Sequence, residues 1–326
     1  MAHLSDHVNE LPNVVSFVCG FTPRRVHDIP DIDQPVVLQK VRWPALRFLS
    51  TQAVLSTLLN RDHPLITTLE VKGVRQDLAL RMANRCPALH SLRIIYTTQH
   101  VIYHSSQFLP SSLKRLSIQG SCSPGSDIYH HRQDVWAALV PINVIGLEYL
   151  HLPIPYMPGE PLCISILDLA QGSSSTLTSL SLQAEDGEQF TLIFSQTPNV
   201  IRLTLSMPGF PDLWGDFMKV LLPDDDSILP RLEYLNLRIL KGSVPKHLAQ
   251  AQVMGFHGQA IKESTLFQRL ESRGDGVAVA KISHLVLHLG LGDDRALVSG
   301  LNDGPMKVEV EYQVVGDHRL RRVSML

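Results

Sequence analysis

Apolar side chains recur along this chain in one short spacing, apolar-x-x-apolar-x-apolar. It runs as Ile66, Leu69, Val71; Leu89, Leu92, Ile94; Leu113, Leu116, Ile118; and Leu147, Leu150, Leu152. Four more copies follow at Leu177, Leu180, Leu182; Val200, Leu203, Leu205; Leu232, Leu235, Leu237; and Ile282, Leu285, Leu287. The alternation that ends each copy is the period of a strand with one buried face, so eight copies predict eight short strands. The flanks repeat as well: CPALHSL at Cys86 to Leu92 matches WPALRFL at Trp43 to Leu49 and LPRLEYL at Leu229 to Leu235. LPNVVSFVC at Leu11 to Cys19 lines up with TPNVIRLTL at Thr197 to Leu205, which adds a degenerate copy near residue 1.

Between the strands lie stretches with helical spacing. In residues 74–85, VRQDLALRMANR, Leu78, Met82 and the later Leu89 bracket a polar face before Pro87 stops the helix. Similar spacing predicts helices within 53–59, 133–140, 162–170, 190–195, 213–222 and 247–270. Strand, helix, strand is a parallel arrangement.

Second anchors stand at positions 17, 49, 69, 92, 116, 150, 180, 203, 235 and 285, and their intervals run from 20 to 50 residues. Leucine-rich repeats of roughly 20–29 residues accept insertions on the side away from the strands. The expected fold is therefore α/β: an irregular leucine-rich-repeat solenoid, or horseshoe, with parallel strands on the concave face and helices outside. One domain would span residues 1–326, with about ten or eleven strands and a helical insertion at 241–281. Each strand in such an array buries its anchors only when the next coil covers them. The first ten residues are too short for a polar cap, so an apolar edge is expected around Val14, Val15 and Phe17.

Three segments carry a family resemblance: MANRCPALHSLRI at Met82 to Ile94, LPRLEYLNL at Leu229 to Leu237, and LFQRLESR at Leu266 to Arg273 followed by KISHLVLHL. They resemble the leucine-rich-repeat region of fungal F-box-like proteins. The closing VSGLNDGPMKVEVEY at Val298 to Tyr312 looks like the short helix and last strand that end such arrays. The resemblance implies a substrate-recognition part of a ubiquitin-ligase receptor. It departs from the family in two ways. Leu11 and Pro12 read as repeat flank, so no intact F-box is visible. The positions where regular repeats carry asparagine hold Val74, Thr97, Ser121, Pro155, Glu185, Pro208, Leu240 and Gly290.

Composition narrows the partners. Lysine plus arginine number 29 against 31 acidic residues, a formal charge of −2, which gives no general attraction to nucleic acid or an anionic membrane. The cysteines Cys19, Cys86, Cys122 and Cys163 form no CxxC pair, which suits a reduced compartment. No basic leader with an apolar stretch opens the chain, and no apolar run approaches a membrane span. The expected location is cytoplasm or nucleus.

Alternation also predicts which side chains leave the core. Across 24 such strand positions there are five Lys or Arg and a single Glu, against a chain total of −2. The expected partner-binding residues on the concave face are Arg93, Arg115, Tyr149, His151, Arg202, Tyr234, Asn236 and Arg238. Arginine and tyrosine are the types that dominate binding hot spots. An acidic or phosphorylated protein segment is the expected ligand, and a Skp-type adaptor is expected only if an F-box comes from outside this chain.

Candidate chemistry adds nothing specific. His130 and His131 near Asp127 and Asp134 lack the repeated ligand spacing of zinc sites and read as a solvated loop. His284 and His288 fall on a strand, roughly 13 Å apart on one face, too far for one metal. Asp224 to Asp226 lack the alternating ligands of a calcium loop, and Asp293 with Asp294 reads as a helix cap. Glycines in GFHG at Gly255 to Gly258 lack a phosphate-loop context, and no nucleophile-elbow or HExxH motif occurs. The expectation is a non-enzymatic protein-interaction module without cofactor or metal. An inhibitor that wraps an enzyme and an enzyme with an unfamiliar site in 241–281 stay open beside it.

Overall fold

Each copy of the apolar triplet that falls among the described residues runs into a strand, and the strands pair in the register that the triplets share. The computed structural model describes residues 13–19, 43–52, 61–73, 76–96, 107–120, 142–153, 169–183, 188–208, 228–240, 283–289, 307–313 and 320–323. Its contacts form two compact units, residues 1–152 with 163–173, and residues 153–162 with 174–326.

The first unit holds β1 (Ser16–Cys19), β2 (Phe48–Thr51), β3 (Thr68–Lys72) and α1 (Gln76–Asn84), then β4 (Ser91–Tyr96) and β5 (Gln107–Phe108). Next come β6 (Arg115–Gly120), β7 (Ile142–Asn143) and β8 (Tyr149–Pro153). Strands β1, β2, β3, β4, β6 and β8 are parallel neighbours in that order. The short β5 and β7 pair separately, also in parallel. Second anchors meet one another down the sheet: Phe17 opposite Leu49, then Leu69, Leu92, Leu116 and Leu150. The third-anchor row runs Thr51, Val71, Ile94 and Ile118. The leucines from Leu49 to Leu150 keep at most 1% of their surface, and burying one such side chain contributes about 1.5–3 kcal/mol.

The second unit holds β9 (Ser179–Gln183), α2 (Glu188–Ser195), β10 (Arg202–Pro208) and β11 (Tyr234–Leu240). Then follow β12 (His284–Leu289), β13 (Lys307–Gln313) and β14 (Leu320–Val323). Strands β9 to β13 are parallel, with Leu180, Leu203, Leu235, Leu285 and Val308 in one row. The expected last strand is β13. Beyond it β14 turns back antiparallel, with Glu311 opposite Arg322 and Gln313 opposite Leu320. An antiparallel return needs only a short connection, whereas another parallel strand needs a crossover.

Two backbone devices repeat with the triplets. The first is a tight turn ahead of the first anchor, with Leu46 N–H donating to Trp43 O, Ile66 to His63, Leu89 to Cys86, Val200 to Thr197 and Leu232 to Leu229. Proline occupies the second turn position in all five, where its fixed φ is already correct. The second device is a carbonyl that accepts two consecutive N–H groups from the next strand. Arg47 O takes Thr67 and Thr68, Thr67 O takes His90 and Ser91, His90 O takes Lys114 and Arg115, and Lys114 O takes Glu148 and Tyr149. In the second unit Thr178 O, Ile201 O and Glu233 O do the same.

Helices end as the flanks suggest. Gln76–Asn84 of the expected 74–85 stretch forms α1 and residues 190–195 lie in α2, while a helical turn at 169–172 overlaps the end of the expected 162–170 segment. Cys86 Sγ donates to Met82 O and Thr197 Oγ1 to Ile193 O, each four residues back. A buried side-chain donor at that point adds a second hydrogen bond to a carbonyl at the helix end, where Arg85 N–H also bonds Met82 O and Gln196 N–H bonds Ile193 O. Expected helices at 53–59, 133–140, 213–222 and 247–270, and the insertion at 241–281, lie outside the described residues. At the expected apolar edge, Val15 is 51% and Val18 67% exposed, while Phe17 meets the Trp43 ring edge-on at 4.2 Å. Among the described residues no helix is long and apolar enough to cross a membrane.

Candidate interaction face

In the first unit, the side chains between the anchors converge on one carboxylate. Glu70 on β3 receives Lys72 Nζ at 2.6 Å, Ser50 Oγ at 2.9 Å and Arg93 Nη1 at 3.2 Å. Burial pushes its pKa up, but the hydrogen bonds from Lys72 and Ser50 and the charges of Lys72 and Arg93 outweigh this and hold it below the ordinary value. Arg93 also donates to Gln119 Oε1 at 3.0 Å, so its fork is held between β3 and β6. Sequence patterning places Arg93 on this face but not in that clamp, because its partners lie 23 and 26 residues away.

Arg115 is held differently. It is exposed, and its guanidinium carbon stands 5.5 Å from the centre of the Tyr149 ring on the neighbouring strand. A cation on an aromatic face keeps its donors turned to solvent while the ring fixes its plane. His151 follows two residues after Tyr149 and stands opposite Ser117. Arg93, Arg115, Tyr149 and His151 thus lie on three successive strands of one sheet face.

Arg202 in the second unit is exposed on β10, opposite Tyr234 on β11. The Tyr234 ring packs against His284 of β12, with centroids 4.8 Å apart. Asn236, expected outside the core, keeps only 6% of its surface, and its Oδ1 has no hydrogen-bond partner. Arg238 stands two residues further along β11, paired with Ser206 of β10. Ser117 and Ser181 are also nearly covered, so small polar residues on this face sit below their larger neighbours.

The chain matches no protein-family model and no curated protein.

Among the described residues no three His, Cys, Asp or Glu side chains converge as a metal site. His284 and His288 both lie on β12. The pair His130 and His131 with Asp127 and Asp134, the acidic run Asp224 to Asp226, the glycines Gly255 and Gly258, and Asp293 with Asp294 lie outside the described residues. Cys86 is buried, which together with the Asp62 charge pushes its thiol pKa up to about 12. A thiol that stays protonated is a poor nucleophile and a poor metal ligand. Cys86 is a structural donor at the end of α1.

Proposed function

We propose that this chain is a non-enzymatic protein-interaction module built as a leucine-rich-repeat solenoid, similar in role to the substrate-recognition part of an F-box-like ubiquitin-ligase receptor. One observation carries the reading. In each unit, parallel strands in a common register bury a row of leucines and leave, on their other face, exposed arginine beside half-buried tyrosine. Such a face offers many contacts at once to an extended partner. Arginine and tyrosine give it the residue types that carry binding energy. A Skp-type adaptor joins only through an F-box from another source, and the compartment is cytoplasm or nucleus.

Affinity capture followed by mass spectrometry tests this. The expected result is a stoichiometric protein partner that is lost on reversing the charges of Arg115 and Arg202. Adaptor and cullin in the capture support the receptor role. A single stoichiometric enzyme, inhibited when bound, points to the inhibitor alternative. Capture unchanged by the two reversals refutes the face as the binding surface.

A further inference from the structure

The strand face carries the same residue set twice. LKRLSI at 113–118 precedes LEYLHL at 147–152 in the first unit, and VIRLTL at 200–205 precedes LEYLNL at 232–237 in the second. The pairing makes these two stretches structural equivalents: Arg115 stands opposite Tyr149 as Arg202 stands opposite Tyr234. Two residues on, Ser117 faces His151 as Thr204 faces Asn236. The backbone repeats too. Lys114 O accepts Glu148 and Tyr149 N–H at 2.8 and 3.1 Å, and Ile201 O accepts Glu233 and Tyr234 N–H at 3.0 Å each. Elsewhere in this row the first unit has Ser16, Phe48, Thr68 and Ser91, and the second has Ser179, His284 and Lys307. An arginine followed by a tyrosine on the next strand therefore occurs once in each unit among the described strands.

We infer that these are two equivalent surface sites, each taking one acidic side chain of a partner polypeptide: Arg115 with Tyr149, and Arg202 with Tyr234. The inference rests on the interaction-module reading and names its ligand chemistry. The guanidinium presents a planar fork of donors that matches a carboxylate. The charge count leans the same way: between the anchors, Lys72, Arg93 and Arg115 outnumber Glu70 on β3 to β6, and Arg202, Arg238 and Lys307 outnumber Glu309 and Glu311 on β9 to β13.

The test uses the full chain and titrates three fluorescein-labelled ten-residue Gly/Ser peptides, carrying three consecutive glutamates, three glutamines or three phosphoserines. Two equivalent sites per chain are expected for the glutamate peptide and none for the glutamine peptide. Arg115→Ala and Arg202→Ala each reduce the stoichiometry to one, and the double variant abolishes binding. Arg115→Lys keeps its site and weakens it about tenfold, because the charge survives without the fork. If phosphoserine binds tighter at the same two arginines, the natural anion is a phosphorylated segment. If glutamate binds as well or better, it is an acidic one. A single site, binding that survives the double variant, or no saturation by a chain of native circular dichroism overturns the inference. Protein capture that depends on other residues of the face, with no peptide binding, would sink the paired sites alone. Peptide binding with two sites but no protein capture would instead sink the interaction-module reading.

Discussion

Arg93 and Glu70 stand opposite each other on adjacent strands, a guanidinium nitrogen 3.2 Å from a carboxylate oxygen, with Lys72 on the other carboxylate oxygen. A folded pKa below the ordinary 4.5 means that Glu70 stabilises the first unit above that pH, and that the contribution is lost as pH falls through the depressed folded value. Glu70→Gln is expected to cost on the order of 1 kcal/mol at pH 7 and to flatten the acid limb of stability. Thermal unfolding of both proteins from pH 7 down to pH 3 checks this. Parallel curves would contradict it.

The row of leucines makes the sharpest mutational contrast. Leu116 is fully buried between Leu92 and Leu150, so Leu116→Ala is expected to destabilise by about 2–5 kcal/mol through lost contacts and a residual cavity. Its neighbour Ser117 points to the other face, and Ser117→Ala is expected to change stability by less than about 1 kcal/mol. Urea unfolding of the two variants separates them.

Leu116 and Ser117 also show what the sequence makes legible. Period-2 alternation assigns each residue to a face, and the fixed triplet spacing aligns one strand with the next, so the anchor rows were readable from Phe17 to Leu285. What lay across the strands was not. The clamp on Arg93 joins residues more than 20 positions apart, and it becomes visible only once Glu70, Arg93 and Gln119 share a register. Depth within the polar face escaped as well: Asn236 alternates like an exposed residue yet keeps only 6% of its surface. The return strand β14 left a faint signal, Gly316-Asp317 between two stretches of β-forming residues, which the repeat pattern did not include.

Cys86 is expected to resist alkylation in the native protein at pH 8 and to react on unfolding, because a thiol with a pKa of about 12 is almost entirely protonated there. Peptide mapping after iodoacetamide treatment with and without urea measures it. Thr197 occupies the equivalent place at the end of α2, so Cys86→Thr should be tolerated, whereas Thr197→Val should cost about 1 kcal/mol by removing the hydroxyl's hydrogen bond to Ile193 O, which keeps the Gln196 N–H.

Register is the property on which both the fold and the face depend, and paired cysteines measure it directly. Thr68 and Ser91 are aligned, as are Ser179 and Arg202, while Arg93 and Thr204 are each two residues further along. Aligned positions on adjacent strands lie roughly 4.8 Å apart, within disulfide range, whereas a two-residue offset adds about 6.6 Å along the strand and places them beyond it. Thr68→Cys with Ser91→Cys, and Ser179→Cys with Arg202→Cys, should form intramolecular disulfides on mild oxidation, seen by peptide mass. Thr68→Cys with Arg93→Cys, and Ser179→Cys with Thr204→Cys, should stay reduced. Cross-linking in the offset pairs and not in the aligned ones would contradict the shared register.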